Sequence, residues 1–124
     1  MRSLNDYFLL FPEIVNVANA GVTAIIPVPD GGKLVSVVVT EETAITVADE
    51  DLTFSTRTAA GTAVAVTNGV ITVPIAGSAI GRTTSYAVNN ANGTNVVPKG
   101  GSLQMVNDSA AAVGTFRVAV VMRR

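Results

Sequence analysis

Residues 63–73 read AVAVTNGVITV, and this stretch decides the fold class. Valine, isoleucine and threonine dominate it, and these residues are typical of β-strands. Asn68 and Gly69 supply the positive φ angles that a type I′ turn requires, so the stretch predicts a β-hairpin. Pro74 limits the second strand, because proline has no N–H for the hydrogen-bond ladder.

Strand-forming stretches of the same kind recur along most of the chain. Runs of β-branched residues bounded by Gly, Pro and Asn predict further strands at residues 22–28, 33–40, 52–57, 82–89, 95–97, 102–107 and 114–123. Helix signals are nearly absent. Seven to eight short strands joined by regular turns indicate an all-β fold. We expect an antiparallel two-sheet β-sandwich, either jelly-roll or immunoglobulin-like.

The alternation of side chains predicts which residues face the core. Leu52 and Phe54 should point inward. In the last strand one face should carry Phe116, Val118, Val120 and Met122. Residues 33–40 are apolar on both faces, which predicts a strand covered on both sides. Its two faces would carry Leu34 and Val38 on one side and Val35, Val37 and Val39 on the other.

The chain length fits one domain of 124 residues. We divide it into an N-terminal apolar arm or capping segment, residues 1–21, and a β-sandwich, residues 22–124. Two segments of the sandwich resemble each other, VPDGGKL at 28–34 and VPKGGSL at 97–103. Either the two segments use the same favourable turn residues, or the sequence contains a duplicated half-sandwich.

The composition removes the commonest catalytic residues. The chain has no His and no Cys, so it lacks the usual groups for proton transfer near neutral pH and for thiolate chemistry. We therefore expect no enzymatic activity and no cofactor. Only 14% of the residues are charged, against about a quarter in typical soluble domains. Low charge fits either a monomer with a neutral surface or a surface covered in an assembly.

The acidic residues cluster in one part of the chain. They are Glu41, Glu42, Asp49, Glu50 and Asp51. A calcium site would need six to eight oxygen ligands, and the sequence has no D-x-D-x-D-G loop. No aromatic residue nearby could hold a sugar against paired carboxylates. We therefore predict a solvated acidic loop between two strands, with no metal site.

Half of the aromatic residues lie within the first eleven positions. The segment either caps the sandwich or anchors on a neighbouring subunit or partner, because aromatic side chains dominate both cores and interfaces. The short apolar run breaks at Pro12 and Glu13, so we do not expect a signal peptide. The candidate partner-binding residues are Leu4, Tyr7, Phe8, Leu9, Leu10 and Phe11.

Several stretches together resemble one family. They are residues 26–35, 42–49, 63–74 and 76–79, with a terminal strand that ends in arginine. With these strands in order, the chain resembles the small all-β decoration proteins of tailed bacteriophages, also called cement or head-stabilisation proteins.

The resemblance implies a non-enzymatic virion structural protein that binds the outside of an assembled capsid and stabilises it. It implies the major capsid protein as partner and a homo-oligomer, often a trimer. The implied location is the capsid surface, after synthesis in the host cytoplasm. Scattered cations give no nucleic-acid face, and no apolar run is long enough for a membrane span.

A carbohydrate- or receptor-binding β-sandwich of a phage tail or bacterial surface is the alternative function. Sugar sites usually present an exposed aromatic platform. Tyr86 and the N-terminal aromatics are the residues that could form one here.

Overall fold

A computed structural model describes residues 6–11, 15–16, 23–89, 92–108 and 113–124. These residues form ten β-strands and no helix. The strands are β1 (Asp6–Leu10), β2 (Val15–Asn16), β3 (Thr23–Val28), β4 (Gly32–Thr46), β5 (Glu50–Arg57), β6 (Ala63–Val73), β7 (Thr83–Ala87), β8 (Val96–Val97), β9 (Gly101–Asn107) and β10 (Val113–Arg123). The predicted all-β class is confirmed, and eight strands are longer than two residues.

The strands form two antiparallel sheets. The first has the order β1-β10-β4-β7, with β2 pairing with β10 and β8 pairing with β4. The second has the order β3-β9-β5-β6. When the eight longer strands are numbered along the chain, the sheets read 1-8-3-6 and 2-7-4-5. This is the jelly-roll order, and the immunoglobulin-like alternative does not fit it.

The inward faces of both sheets share one hydrophobic core. Leu52 and Phe54 point into it as predicted, and each is fully buried. The alternation predicted for the last strand is also confirmed. Its core face consists of Phe116, Val118, Val120 and Met122.

The predicted hairpin at Asn68-Gly69 is wrong. Strand β6 stays paired with β5 on both sides of this dipeptide, from Arg57–Ala63 to Glu50–Val73. Four residues of β6, 66–69, lie opposite the single residue Phe54 of β5, so β6 forms a bulge that accommodates the extra residues. Asn68 does have a positive φ of 56°, and its side-chain amide donates a hydrogen bond to the carbonyl oxygen of Asn89. The Asn-Gly pair therefore makes a bulge rather than a chain reversal.

Strand β4 is longer than predicted, and its faces differ from the expectation. Where β4 pairs with β10, Met122 lies opposite Leu34, but the neighbouring Val121 lies opposite Ser36 rather than Val35. Val35 is thereby skipped, so Leu34, Val37 and Val39 all face the core. A local bulge shifts the period-two pattern by one residue, so the simple alternation fails.

The turns of the two similar segments, 28–34 and 97–103, lie side by side at one end of the sandwich. The N–H of Gly100 donates a hydrogen bond to the carbonyl oxygen of Pro29, at 2.9 Å. Strand β3 pairs with β9, and β4 pairs with β8, so the strands that flank one turn pair with those that flank the other. Gly31 has a φ of 68° and packs against the backbone of Val97 and Lys99.

Candidate functional site

The N-terminal aromatic residues are divided between the two faces of β1. Tyr7 and Leu9 pack against the core, and Phe11, just beyond the strand, is fully buried. Phe8 and Leu10 point outward and are 51% and 59% exposed. Leu4 lies outside the described residues. Of the six candidate partner-binding residues, Phe8 and Leu10 are the ones placed to meet a partner without disturbing the core.

Strand β1 is fastened to the rest of the sandwich by its side chains. The Tyr7 hydroxyl donates a hydrogen bond to the carbonyl oxygen of Gly31 at 2.5 Å, and the guanidinium of Arg124 lies 5.0 Å from the centre of the Tyr7 ring. Burial raises the pKa of Tyr7, although the positive charge of Arg124 opposes that shift. This segment is a structural strand of the sandwich, joined to β10 along its length.

A band of apolar and small side chains crosses the outer face of the six-stranded sheet. One row of cross-strand neighbours is Phe8, Val121, Ser36 and Ala87, and the next is Leu10, Ala119, Val38 and Ser85. Val121 is only 6% exposed although it lies outside the core cluster. We call these eight residues the outer band.

Closed ion pairs lie on either side of the outer band. The Asp6 carboxylate binds the Arg123 guanidinium at 2.7 Å, and Glu42 binds Arg117. Each pair joins residues of opposite charge, so these four side chains add no net charge to the face. The hydrogen bond to Asp6 and the charge of Asp6 raise the pKa of Arg123.

The predicted acidic loop is wrong, because two of its carboxylates are buried within strands. Glu41 is 1% exposed in β4, and Glu50 is fully buried in β5. Glu41 forms an ion pair with Arg82 and accepts a hydrogen bond from the Ser78 hydroxyl. The amide of Asn107 donates to Glu50 at 3.4 Å.

The Glu41 network holds the connection between β6 and β7 in place. Arg82 also donates to the carbonyl oxygens of Pro74 and Ala76, at 2.5 and 2.7 Å. The Ser78 hydroxyl accepts a hydrogen bond from the Ile45 N–H at 2.8 Å. This connection is thus fixed to β4 through both charge and backbone contacts.

Three aliphatic side chains are exposed at this end of the sandwich. Val47 is 75% exposed, Ile80 is 79% exposed and Val113 is 57% exposed. Val113 pairs with Thr46, the residue before Val47. Val47 has a φ of 82°, which is unfavourable for a β-branched residue and marks backbone strain. We call Val47, Ile80 and Val113 the loop tip.

A cleft of about 340 Å³ lies between β5, β6 and the segment before β9. Threonine, asparagine and aliphatic side chains line it, including Thr56, Thr94 and Val96. None of its lining residues is ionisable, so the cleft offers no general acid, base or charged nucleophile.

Within the described part of the chain, no three His, Cys, Asp or Glu residues form a group that could hold a metal ion. The same residues contain no helix long and apolar enough to cross a membrane. Comparison of the chain with protein-family models and with curated proteins finds no match. The geometry therefore supplies the functional argument, and it points to two exposed apolar surfaces, the outer band and the loop tip.

Proposed function

We propose that this chain is a non-enzymatic structural protein of a bacteriophage virion, which binds the outside of the assembled capsid and stabilises it. The observation that carries the proposal is the presence of exposed apolar side chains at two separate places on a weakly charged sandwich. Exposed apolar patches of this kind mark contact surfaces between proteins. A decoration protein uses such surfaces to bridge neighbouring subunits.

The loop tip is the surface that we assign to the major capsid protein. Ile80 lies on the connection between β6 and β7, which the buried Glu41–Arg82 pair holds in place, and Val47 lies in the turn between β4 and β5. A rigid connection loses little conformational entropy on binding, so more of the apolar contact appears as affinity. Because the protein would bind the assembled shell in preference to free subunits, occupied sites stabilise the shell by mass action.

Particles that lack the protein provide the test. Purified protein should bind them and raise the melting temperature of the shell. A variant with Val47→Asp and Ile80→Asp should stay folded and lose binding, because charges would be buried without partners. Ile25→Asp is the matched control, since Ile25 is 51% exposed on the outer face of the other sheet. Equal binding by all three proteins would remove the loop tip from the contact, and no binding by the wild type would refute the function.

The carbohydrate-binding alternative requires an exposed aromatic platform. Tyr86 packs against the core with its hydroxyl buried, and burial raises its pKa. Phe8 remains as an exposed aromatic ring, with half of its surface available. A glycan-array screen distinguishes the two functions, because a decoration protein should bind no glycan on it.

A further inference from the structure

We propose that the outer band is a two-fold interface with a second copy of this chain. The proposal does not depend on capsid binding, which we assign to the loop tip at a different place on the sandwich. Three properties of the outer band support self-association: its shape, its charge and its size.

The shape of the outer band is complementary to itself. The large side chains, Phe8 and Leu10, lie on β1 at one edge of the sheet. Small side chains occupy the same two rows toward the opposite edge, with Ala87 and Ser85 on β7. The band therefore has a ridge along one edge and a flat floor along the other.

A two-fold axis parallel to the strands makes use of this asymmetry. Rotation about such an axis places β1 of one copy over β7 of the other, so each ridge lies on the partner's floor. The same patch is then used by both copies, as in an isologous interface. A two-fold axis across the strands would instead bring the Phe8 side chains of both copies together and leave the two floors apart.

The charge of the band allows two copies to approach. The eight band residues include no ionisable side chain. The ion pairs Asp6–Arg123 and Glu42–Arg117 are closed within each copy, so they do not require a partner and do not repel one strongly. Polar pairs around an apolar centre are the usual arrangement of a protein interface.

The size of the face is close to what a stable dimer needs. The four strands β1, β10, β4 and β7 contain 5, 11, 15 and 5 residues. At roughly 3.4 Å of rise per residue and about 4.8 Å between strands, the face that they form has a projected area of roughly 600 Å². A standard interface buries about 800 Å² on each partner.

Sedimentation tests the association itself. The wild type should be a dimer at high micromolar concentration. Phe8→Ser with Leu10→Ser should weaken dimerisation at least tenfold, and Ala87→Arg should do the same from the floor. Ile25→Ser, on the other sheet, should leave the dimer intact. A persistent monomer or a trimer would overturn the proposal, and so would a dimer that all of these substitutions leave unchanged.

Cysteine cross-linking tests the geometry, because the natural chain has no cysteine. Phe8 and Ala87 lie in one row but three strand spacings apart, about 14 Å, which is too far for a disulfide within one molecule. The double variant Phe8→Cys with Ala87→Cys should therefore form cross-linked dimers on oxidation, and either single variant should not. Cross-linking by Phe8→Cys alone, or none by the double variant, would refute the strand-parallel axis. The Val47→Asp, Ile80→Asp protein should still cross-link when it carries both cysteines, which separates this result from capsid binding.

Discussion

The rings of Phe11 and Phe54 meet edge to face, with centroids 6.3 Å apart and an interplanar angle of 61°. Phe11 directly follows β1 in the first sheet, and Phe54 belongs to β5 in the second. The contact therefore joins the N-terminal segment to the far side of the sandwich. Aromatic pairs in this geometry stabilise a core beyond the area that they bury.

Phe11→Ala should reduce the free energy of unfolding by about 3–5 kcal/mol, because it leaves a cavity in the shared core. Phe8→Ala is the matched control, since Phe8 lies on the preceding strand β1 and is 51% exposed on its outer side. Its effect should be under about 1 kcal/mol when measured on the monomer at low concentration. Urea unfolding measures both. Equal small effects would mean that the segment is a detachable arm.

Arg82→Met should be strongly destabilising, because it leaves the Glu41 carboxylate buried without its charged partner. Loss of one member of such a pair costs about 3–5 kcal/mol. Arg117→Met provides the comparison, since the Glu42–Arg117 pair is partly exposed and worth about 0–1 kcal/mol. Thermal and urea unfolding of the two variants should differ accordingly. Similar stabilities would show that water reaches Glu41.

Two glycines with nearly the same φ allow the stability cost of backbone strain to be measured separately from the cost of close contact. Gly31 has a φ of 68° and Gly93 has a φ of 71°. A methyl group at Gly31 would lie 2.8 Å from the Val97 carbonyl oxygen, whereas one at Gly93 would meet nothing within 4 Å. Alanine at either position bears a left-handed strain of about 1–2 kcal/mol. Gly31→Ala should destabilise the protein clearly more than Gly93→Ala does in urea unfolding, and equal losses would contradict the turn packing.

Stability should fall at alkaline pH. Burial raises the pKa of both Tyr7 and Tyr86 in the folded protein, above the ordinary value of about 10. The folded state therefore favours the protonated phenols. Their contribution is fully present below pH 10 or so, and it is lost as the pH rises through the folded pKa values.

The double variant Tyr7→Phe with Tyr86→Phe should show a flatter dependence of unfolding free energy on pH above about pH 10. Spectrophotometric titration of tyrosinate absorbance provides an independent measure of the shift. Identical pH profiles for variant and wild type would show that neither phenol is protected by the fold.

Local chemistry was enough to predict the strands and much of the core. Leu52, Phe54 and the alternating residues of β10 face inward as expected, because a regular strand allows only two faces. The all-β class followed from β-branched residues and from turns that contain Gly and Pro, because each of these residue types restricts the backbone angles at its own position. The sequence singled out the aromatic N-terminal residues as candidate contacts, but it could not divide them between core and surface.

Tertiary pairing decided what local chemistry left open. Asn68-Gly69 favours a reversal, but pairing with β5 on both sides converts it into a bulge. Glu41 looked like a loop carboxylate, and the partner that makes its burial possible, Arg82, lies 41 residues further along the chain. The jelly-roll order and the split of β1 into core and outer faces depend likewise on β10, at the other end of the sequence. Such contacts join residues far apart in the chain, so no short-range pattern in the sequence specifies them.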